Sequence, residues 1–264
     1  MYIVSIINHR KEIVRCTSGE QQENIVVSLS LSFLGPFQAT SDGQPVVGFE
    51  SNKVRALLAY LAIEADHPHS REELAFLLWP DQPDLAARSN LRQALANLRR
   101  TIGDEAAQPP LLRIDREFIQ FNSEADFWLD ITEFTALLAA SESHSHRRAE
   151  TCKHCAQWLQ RAVELYRGNF LEHFFVSDSD AFDEWALARR EKMRHLVLTA
   201  LYRLADFHER RGDYTQVYHC AVSQLDLDPW CEEAYRQVMR ALAFDGQRSA
   251  ALAQYETCRR MLSL

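Results

Sequence analysis

The sequence predicts a mainly α protein with a small β component, divided into a mixed first part and an all-helical second part. Three observations carry this reading. Eight glycines and eight prolines in 264 residues leave few helix breakers. Alternation of apolar and polar residues, the mark of a strand with one buried face, is confined to the first 122 residues. From about residue 126 the patterns are helical, and two helical hairpins recur at a fixed offset.

Residues 1–27 show no sustained period and read as a lead-in. Ser28-Leu29-Ser30-Leu31-Ser32-Phe33-Leu34 then alternates strictly. Phe37–Thr40 resumes the pattern, and the turn cluster Ser41-Asp42-Gly43-Gln44 leads into Pro45-Val46-Val47, giving a small antiparallel sheet. Three helices follow. The first carries Val54, Leu57, Leu58 and Leu61 on one stripe, with Ser51 or Asn52 as its cap. The second opens on Ser70-Arg71-Glu72-Glu73, a spacing that lets the serine and the glutamate satisfy each other's backbone amides. It buries Leu74, Leu77 and Leu78 before Trp79-Pro80 stops it. The third starts near Asp84, aligns Leu91, Leu95, Leu98 and Ile102, and ends at Gly103. Leu111–Phe121 reads as two short strands about a tip at Asp115-Arg116-Glu117. Sheet, three helices and hairpin over residues 28–122 describe a winged helix-turn-helix.

The second part, residues 126–264, is expected to be helical throughout, beginning with Phe127-Trp128-Leu129 and Ile131–Leu138. Residues 147–167 place Cys152, Ala156, Leu159, Val163 and Tyr166 at spacings of four and three. Gly212 and Gly246 stand 34 residues apart, and the same offset relates Ala200 to Ala234, Leu204 to Val238 and Ala221 to Tyr255. Each copy reads as helix, tight turn, helix: 200–211 with 214–225, and 232–244 with 248–262. That period predicts a tetratricopeptide-like helical bundle, completed by helices at 147–167 and 181–196.

The third helix of the first part carries the function. Between residues 86 and 102 it holds Arg88, Arg92, Arg99 and Arg100 and no acid, together with Ser89, Asn90, Gln93 and Asn97. At about 100° per residue, Arg88, Arg92 and Arg99 share a face, with Ser89, Gln93, Asn97 and Arg100 beside it. Arg, Asn and Gln match the donors and acceptors of base edges in the major groove, and Arg also neutralises phosphate. Arg113 and Arg116 on the hairpin are placed as a wing reaching a minor groove would need. A polar, solvated helix face is the plain alternative. The absence of acid and the third position in the order of helices favour DNA recognition.

These residues resemble a known family. Leu78-Trp79-Pro80-Asp81, Ala86-Ala87-Arg88-Ser89-Asn90-Leu91 and Leu95-Ala96-Asn97-Leu98-Arg99-Arg100-Thr101-Ile102-Gly103 are similar to the DNA-binding domain of the Streptomyces antibiotic regulatory protein type, an OmpR-type winged helix. Tyr166-Arg167-Gly168-Asn169-Phe170-Leu171 and the helix with Trp185 and Arg189 resemble the bacterial transcriptional activator domain that follows it. The resemblance covers roughly residues 28–264. It implies binding to repeated promoter sites as a homodimer or side-by-side pair, and recruitment of RNA polymerase. It assigns base contact to Arg88, Arg92, Gln93 and Asn97, and backbone contact to Arg99, Arg100 and the wing. No phosphate-binding glycine loop and no receiver domain accompany these motifs, which leaves the input signal unassigned.

One metal-like cluster stands apart. His144-Ser145-His146 precedes Cys152-Lys153-His154-Cys155, and two imidazoles with two thiolates would suit tetrahedral zinc at His144, His146, Cys152 and Cys155. The competing reading makes Cys152 a buried apolar residue and leaves the histidines solvated. No nucleophile elbow, catalytic carboxylate pair or metalloprotease motif occurs, so no catalytic activity is expected. Phe170, Phe174, Phe175, Phe182 and Trp185 read as core between helices.

The formal charge of −8 argues at first against a nucleic-acid partner, but its distribution does not. Residues 28–122 sum to −3 and residues 123–264 to −5, while residues 86–102 alone hold +4. This excludes a protein that coats DNA through bulk charge and leaves one that depends on a single helix. No stretch of about 18 apolar residues predicts a membrane span. The lack of an export signal and six scattered cysteines fit a cytoplasmic protein with reduced thiols. The expected function is sequence-specific transcriptional activation. The alternative is a protein-interaction adaptor in which the helical bundle does the work and the winged helix binds protein.

Overall fold

A computed structural model describes residues 29–145 and 152–263, so the lead-in lies outside the described residues. Two compact units are present, one of residues 29–31 and 38–128 and one of residues 32–37 and 129–263. In chain order the elements up to the end of the first unit are β1 (Leu29–Ser32), β2 (Gln38–Ser41), β3 (Gln44–Pro45), α1 (Asn52–Ile63), β4 (His69–Ser70), α2 (Arg71–Leu78), α3 (Asp84–Thr101), β5 (Leu112–Ile114), β6 (Phe118–Phe121) and β7 (Phe127–Leu129). The second unit continues with α4 (Asp130–Ser143), α5 (Lys153–Leu165), α6 (Asp180–Arg210), α7 (Tyr214–Leu227), α8 (Glu232–Phe244) and α9 (Arg248–Leu262).

Two small sheets accompany the three helices, with strand orders β3-β2-β1-β7 and β4-β6-β5. The alternation in β1 buries Leu29 and Leu31 fully and leaves Ser30 and Ser32 half-buried. β3 stops at Pro45, and Val47 is exposed rather than part of the sheet. Phe127-Trp128-Leu129 is a correction: it forms a strand beside β1 instead of opening a helix, and the helix starts one residue later at Asp130. Three bulky residues fit a pleated sheet edge, a use that helical periodicity does not reveal.

α1, α2 and α3 pack on one another around Leu57, Leu58, Leu61, Leu74, Leu78, Leu91, Leu95 and Leu98, each buried. The reciprocal cap at α2 forms as its spacing predicts. Ser70 Oγ accepts from Glu73 N at 3.1 Å, and Glu73 Oε2 accepts from Ser70 N at 2.9 Å. Those bonds hold the Glu73 carboxyl below its usual range. Ser51, at the start of α1, makes no such cap bond.

In the second unit each helix packs on its neighbours in sequence, as a stack of helical hairpins does. The turns between α6 and α7 and between α8 and α9 hold Gly212 and Gly246 at φ of +72° and +81°. A Cβ is disfavoured in that left-handed region, so glycine is required there. The equivalent pairs Ala200/Ala234 and Leu204/Val238 are buried. Ala221 is also buried, but its counterpart Tyr255 is 51% exposed. Ala221 lies in a cluster with Val238 and Leu242 of the next helix, a neighbour that Tyr255 lacks among the described residues. The expected helices at 181–196 and 200–211 are one 31-residue helix, because residues 194–200 contain no glycine or proline and Thr199 donates back to His195 O at 3.0 Å instead of capping a new helix. Of the aromatic group, Phe170, Phe174 and Phe182 are buried and Phe175 is exposed.

Asp130, the first residue of α4, ties residues 32–37 into this unit. Its Oδ2 accepts from Phe33 N at 2.7 Å and Leu34 N at 2.8 Å, with Arg167 Nη2 at 3.6 Å. Its Oδ1 is buried without a hydrogen-bond partner, and burial raises the carboxyl pKa against the opposing bonds. Arg190 of α6 donates to the carbonyls of Phe170, Leu171 and Phe174 and closes the same region.

Two stability measurements follow. Asp130→Ala strands two buried N–H groups and is expected to cost about 3 kcal/mol in denaturant melts, with Asp130→Asn, which keeps an acceptor, costing less. Because the folded pKa is raised, the wild type loses stability relative to Asp130→Asn as pH rises through the shifted value; an unchanging difference contradicts this. Ser70→Ala should cost about 1 kcal/mol through loss of the cap.

Candidate nucleic-acid interface

α3 is an 18-residue helix whose inner face buries Ala87, Leu91, Ala94, Leu95, Asn97 and Leu98. With that face fixed, Arg88, Arg92, Gln93, Ala96 and Arg100 are exposed, and Ser89 and Asn90 are half-buried beside them. Beyond Asp84 in its first turn, the outer face contains no acid of its own. Arg88 reaches Glu72 of α2 at 3.6 Å, an exposed pair that contributes little in water. Arg92 and Gln93 have no protein partner among the described residues.

Asn97 departs from the sequence expectation. It is 3% exposed, its Oδ1 accepts from Glu50 N at 3.2 Å and its Nδ2 donates to Gly48 O at 3.0 Å. The amide is consumed in holding the 48–50 loop and does not face solvent. Its place three residues after buried Ala94 and one before Leu98 was the sequence signal for this. Arg99 is also committed. Its Nε bonds Asp104 Oδ2 at 2.8 Å, and Asp104, 2% exposed, accepts from Leu112 N through Oδ1 at 2.8 Å. The Asp104 carboxylate pushes the Arg99 guanidinium further above its ordinary value. Arg100 pairs with Glu50 at 3.0 Å, both exposed.

The β5–β6 hairpin forms the wing. Asp115 Oδ1 accepts from Glu117 N and Phe118 N, which sets the tip and holds its carboxyl below the usual range. Arg71 at the start of α2 grips the tip by donating to Asp115 O, while its own N–H donates to Glu117 O. β4, which sequence analysis missed because it has only two residues, pairs with β6 in the same place. Arg116 is exposed at the tip with no partner among the described residues, whereas Arg113 pairs with Glu124. The geometry therefore leaves Arg88, Arg92, Gln93 and Arg116 available, with Ser89, Asn90 and the exposed Arg100 at the margin.

The metal-like cluster lies in the second unit, and the structure brings three of its four members together. His144 Nδ1 stands 3.4 Å from Cys152 Sγ and 3.3 Å from Cys155 Sγ. His146 lies outside the described residues. The Cys152 thiol is held below its ordinary pKa by the N–H groups at the start of α5, Cys155 N–H foremost, while burial raises that of Cys155. Cys155, not Cys152, is the buried member of the helix stripe. Among the described residues no helix is long and apolar enough to cross a membrane.

Comparison with known proteins agrees with this architecture. The family model described as bacterial transcriptional activator domain matches residues 129–264. Regulatory protein AfsR of Streptomyces coelicolor is 25% identical over 236 residues, 89% of this chain and 22% of that protein. Transcriptional regulatory protein EmbR of Mycobacterium bovis is 36% identical over 152 residues, 54% of this chain and 36% of that protein. A solved structure of Mycobacterium tuberculosis EmbR in complex with a low affinity phosphopeptide shares the fold, with a TM-score of 0.67 at 24% identity over 90% of this chain and 60% of that one. The chain thus spans well under half the length of the two curated relatives.

The division of the arginines and Asn97 into committed and available groups is testable by thermal or denaturant melts. Arg99→Ala, Asp104→Ala and Asn97→Ala should each lower stability, by about 1–3 kcal/mol. Arg92→Ala and Arg116→Ala should stay within about 0.5 kcal/mol of the parent. A large loss from Arg92→Ala would assign that side chain to the fold.

Proposed function

Because the chain belongs to the bacterial transcriptional activator domain family, we propose that it is a sequence-specific DNA-binding transcriptional activator. In this reading α3 enters the major groove. Arg92 and Gln93 read base edges, and Arg88, with Ser89 and Asn90 beside it, fixes the register on bases and backbone. Arg116 at the wing tip reaches the adjacent minor groove. The helical unit makes the protein contacts, with RNA polymerase and with a second copy on repeated sites, in the bacterial cytoplasm. The observation that carries the proposal is the exposed face of α3 from Arg88 to Arg100, which holds no acid and has at its centre Arg92, without a partner among the described residues.

Magnitudes favour a reader over a coating protein. Each neutralised phosphate adds a slope of about −0.9 to the dependence of log affinity on log salt. Few free cations on an acidic body keep non-specific attraction low, so affinity rests on fitted contacts.

Footprinting on the protein's own upstream region, followed by binding at several salt concentrations, tests the proposal. Protected repeats, an affinity that falls with salt at a slope set by a few phosphate contacts, and a loss of about 5- to 100-fold in Arg92→Ala are expected, with relaxed preference at one base position. Arg88→Ala should weaken binding as well, and Arg113→Ala should have little effect. Binding indifferent to Arg88→Ala and Arg92→Ala would overturn DNA reading by α3 and favour a winged helix that binds protein.

A further inference from the structure

We propose that the C-terminal end of α4 and the N-terminal end of α5 together bind a borderline-soft divalent cation, zinc above all, through His144 Nδ1, Cys152 Sγ and Cys155 Sγ. Each ligand sits where the helices end. His144 is the C-terminal cap of α4, Cys152 is the N-terminal cap of α5 and Cys155 lies in its first turn. The Cys-x-x-Cys spacing brings both thiols to one side of that turn, and all three donor atoms lie within 4.8 Å of one another.

The distances suit a shared ion. Zinc–sulfur bonds of about 2.3 Å and zinc–nitrogen bonds of about 2.0 Å at a tetrahedral angle place sulfur and nitrogen about 3.5 Å apart. The two Nδ1–Sγ separations are 3.3 and 3.4 Å. The edge of Trp158 against the imidazole, with centroids 5.3 Å apart at 84°, fixes the ring that presents Nδ1. Two sulfurs and one nitrogen exclude the hard cations calcium and magnesium, which take oxygen ligands. Two thiolates balance the charge of a dication, so no carboxylate is needed. The guanidinium of Arg203, hydrogen-bonded to Ser141 Oγ and O, lines the same cavity of about 200 Å³ as both cysteines. Three protein ligands leave the fourth tetrahedral position to water from that cavity. The competing use of Cys155, a thiol hydrogen bond to Ser141 O at 3.5 Å, is weak and is given up at little cost. Bound there, the ion clamps the end of α4 to the start of α5.

Cobalt(II), a visible stand-in for zinc, provides the test on the full chain, reduced and freed of metal by a chelator that is then removed. Titration should give one cobalt per chain, with the visible bands of tetrahedral cobalt and a thiolate-to-cobalt charge-transfer band, both abolished by one equivalent of zinc. His144→Gln and Cys152→Ser, at half-buried positions, should each weaken cobalt binding by more than the about tenfold that loss of an outer-shell partner costs. Zinc should raise the melting temperature of the wild type but not of Cys152→Ser. Absence of the bands in folded, reduced wild type would overturn the proposal. So would bands that persist in both variants, or a chain that forms a Cys152–Cys155 disulfide on oxidation yet takes up no cobalt when reduced. Specific DNA binding, measured separately, does not depend on this outcome.

Discussion

Everything at the candidate interface depends on one constraint in α3: the helix must bury a continuous stripe while carrying four arginines. Ala87, Leu91, Ala94, Leu95 and Leu98 meet α1 and α2, and removing that area from water fixes the rotation of the helix about its axis. Rotation then decides which polar residues face out. Arg92 and Gln93 fall opposite the stripe, whereas Asn97 falls beside it and is drawn inside. A buried amide is tolerated only when its groups are paired, and the Gly48–Glu50 loop pairs both.

The same constraint explains why the arginines divide into two kinds. Near its C-terminal end α3 meets two loop carboxylates: buried Asp104 takes Arg99, and exposed Glu50 pairs with exposed Arg100. Asp104 has a second duty, accepting from Leu112 at the start of β5, so one buried carboxylate connects the end of α3 to the first strand of the wing. Arg71 performs the matching task at the other end of the hairpin. Four arginines in the sequence thus become one structural link, Arg99, and three side chains that face solvent, two of them paired only with exposed carboxylates.

In the helical unit the decisive groups are those that satisfy backbone where helices stop. Gly212 and Gly246 turn the chain, Arg190 closes the carbonyls of the 170–174 loop, and Asp130 collects two amides of the 33–34 segment. The glycine turns were legible because their 34-residue spacing coincides with repeated apolar positions. The roles of Asp130 and Arg190 were not, since each joins segments about 20 to 100 residues apart and neither carries a local pattern. Gln224, paired with Gln237 between α7 and α8 while both are buried, was hidden for the same reason.

By itself the sequence determined the kinds and order of most elements: alternation for β1, the Ser70–Glu73 cap, the leucine stripes and the two helical hairpins. These are local properties, written in residues three or four apart, and local sterics and burial suffice to set them. It also placed four arginines and no acid between residues 86 and 102, and brought a histidine and two cysteines into the same stretch of chain. Only the tertiary structure decided that Phe127–Leu129 is a strand, that Asp180–Arg210 is one helix, that Asn97 and Arg99 hold loops, and that His144 meets both thiols. Those outcomes depend on partners far along the chain. Whether a charge is free or paired is a property of what folds against it, and the sequence specifies that partner only through the completed fold.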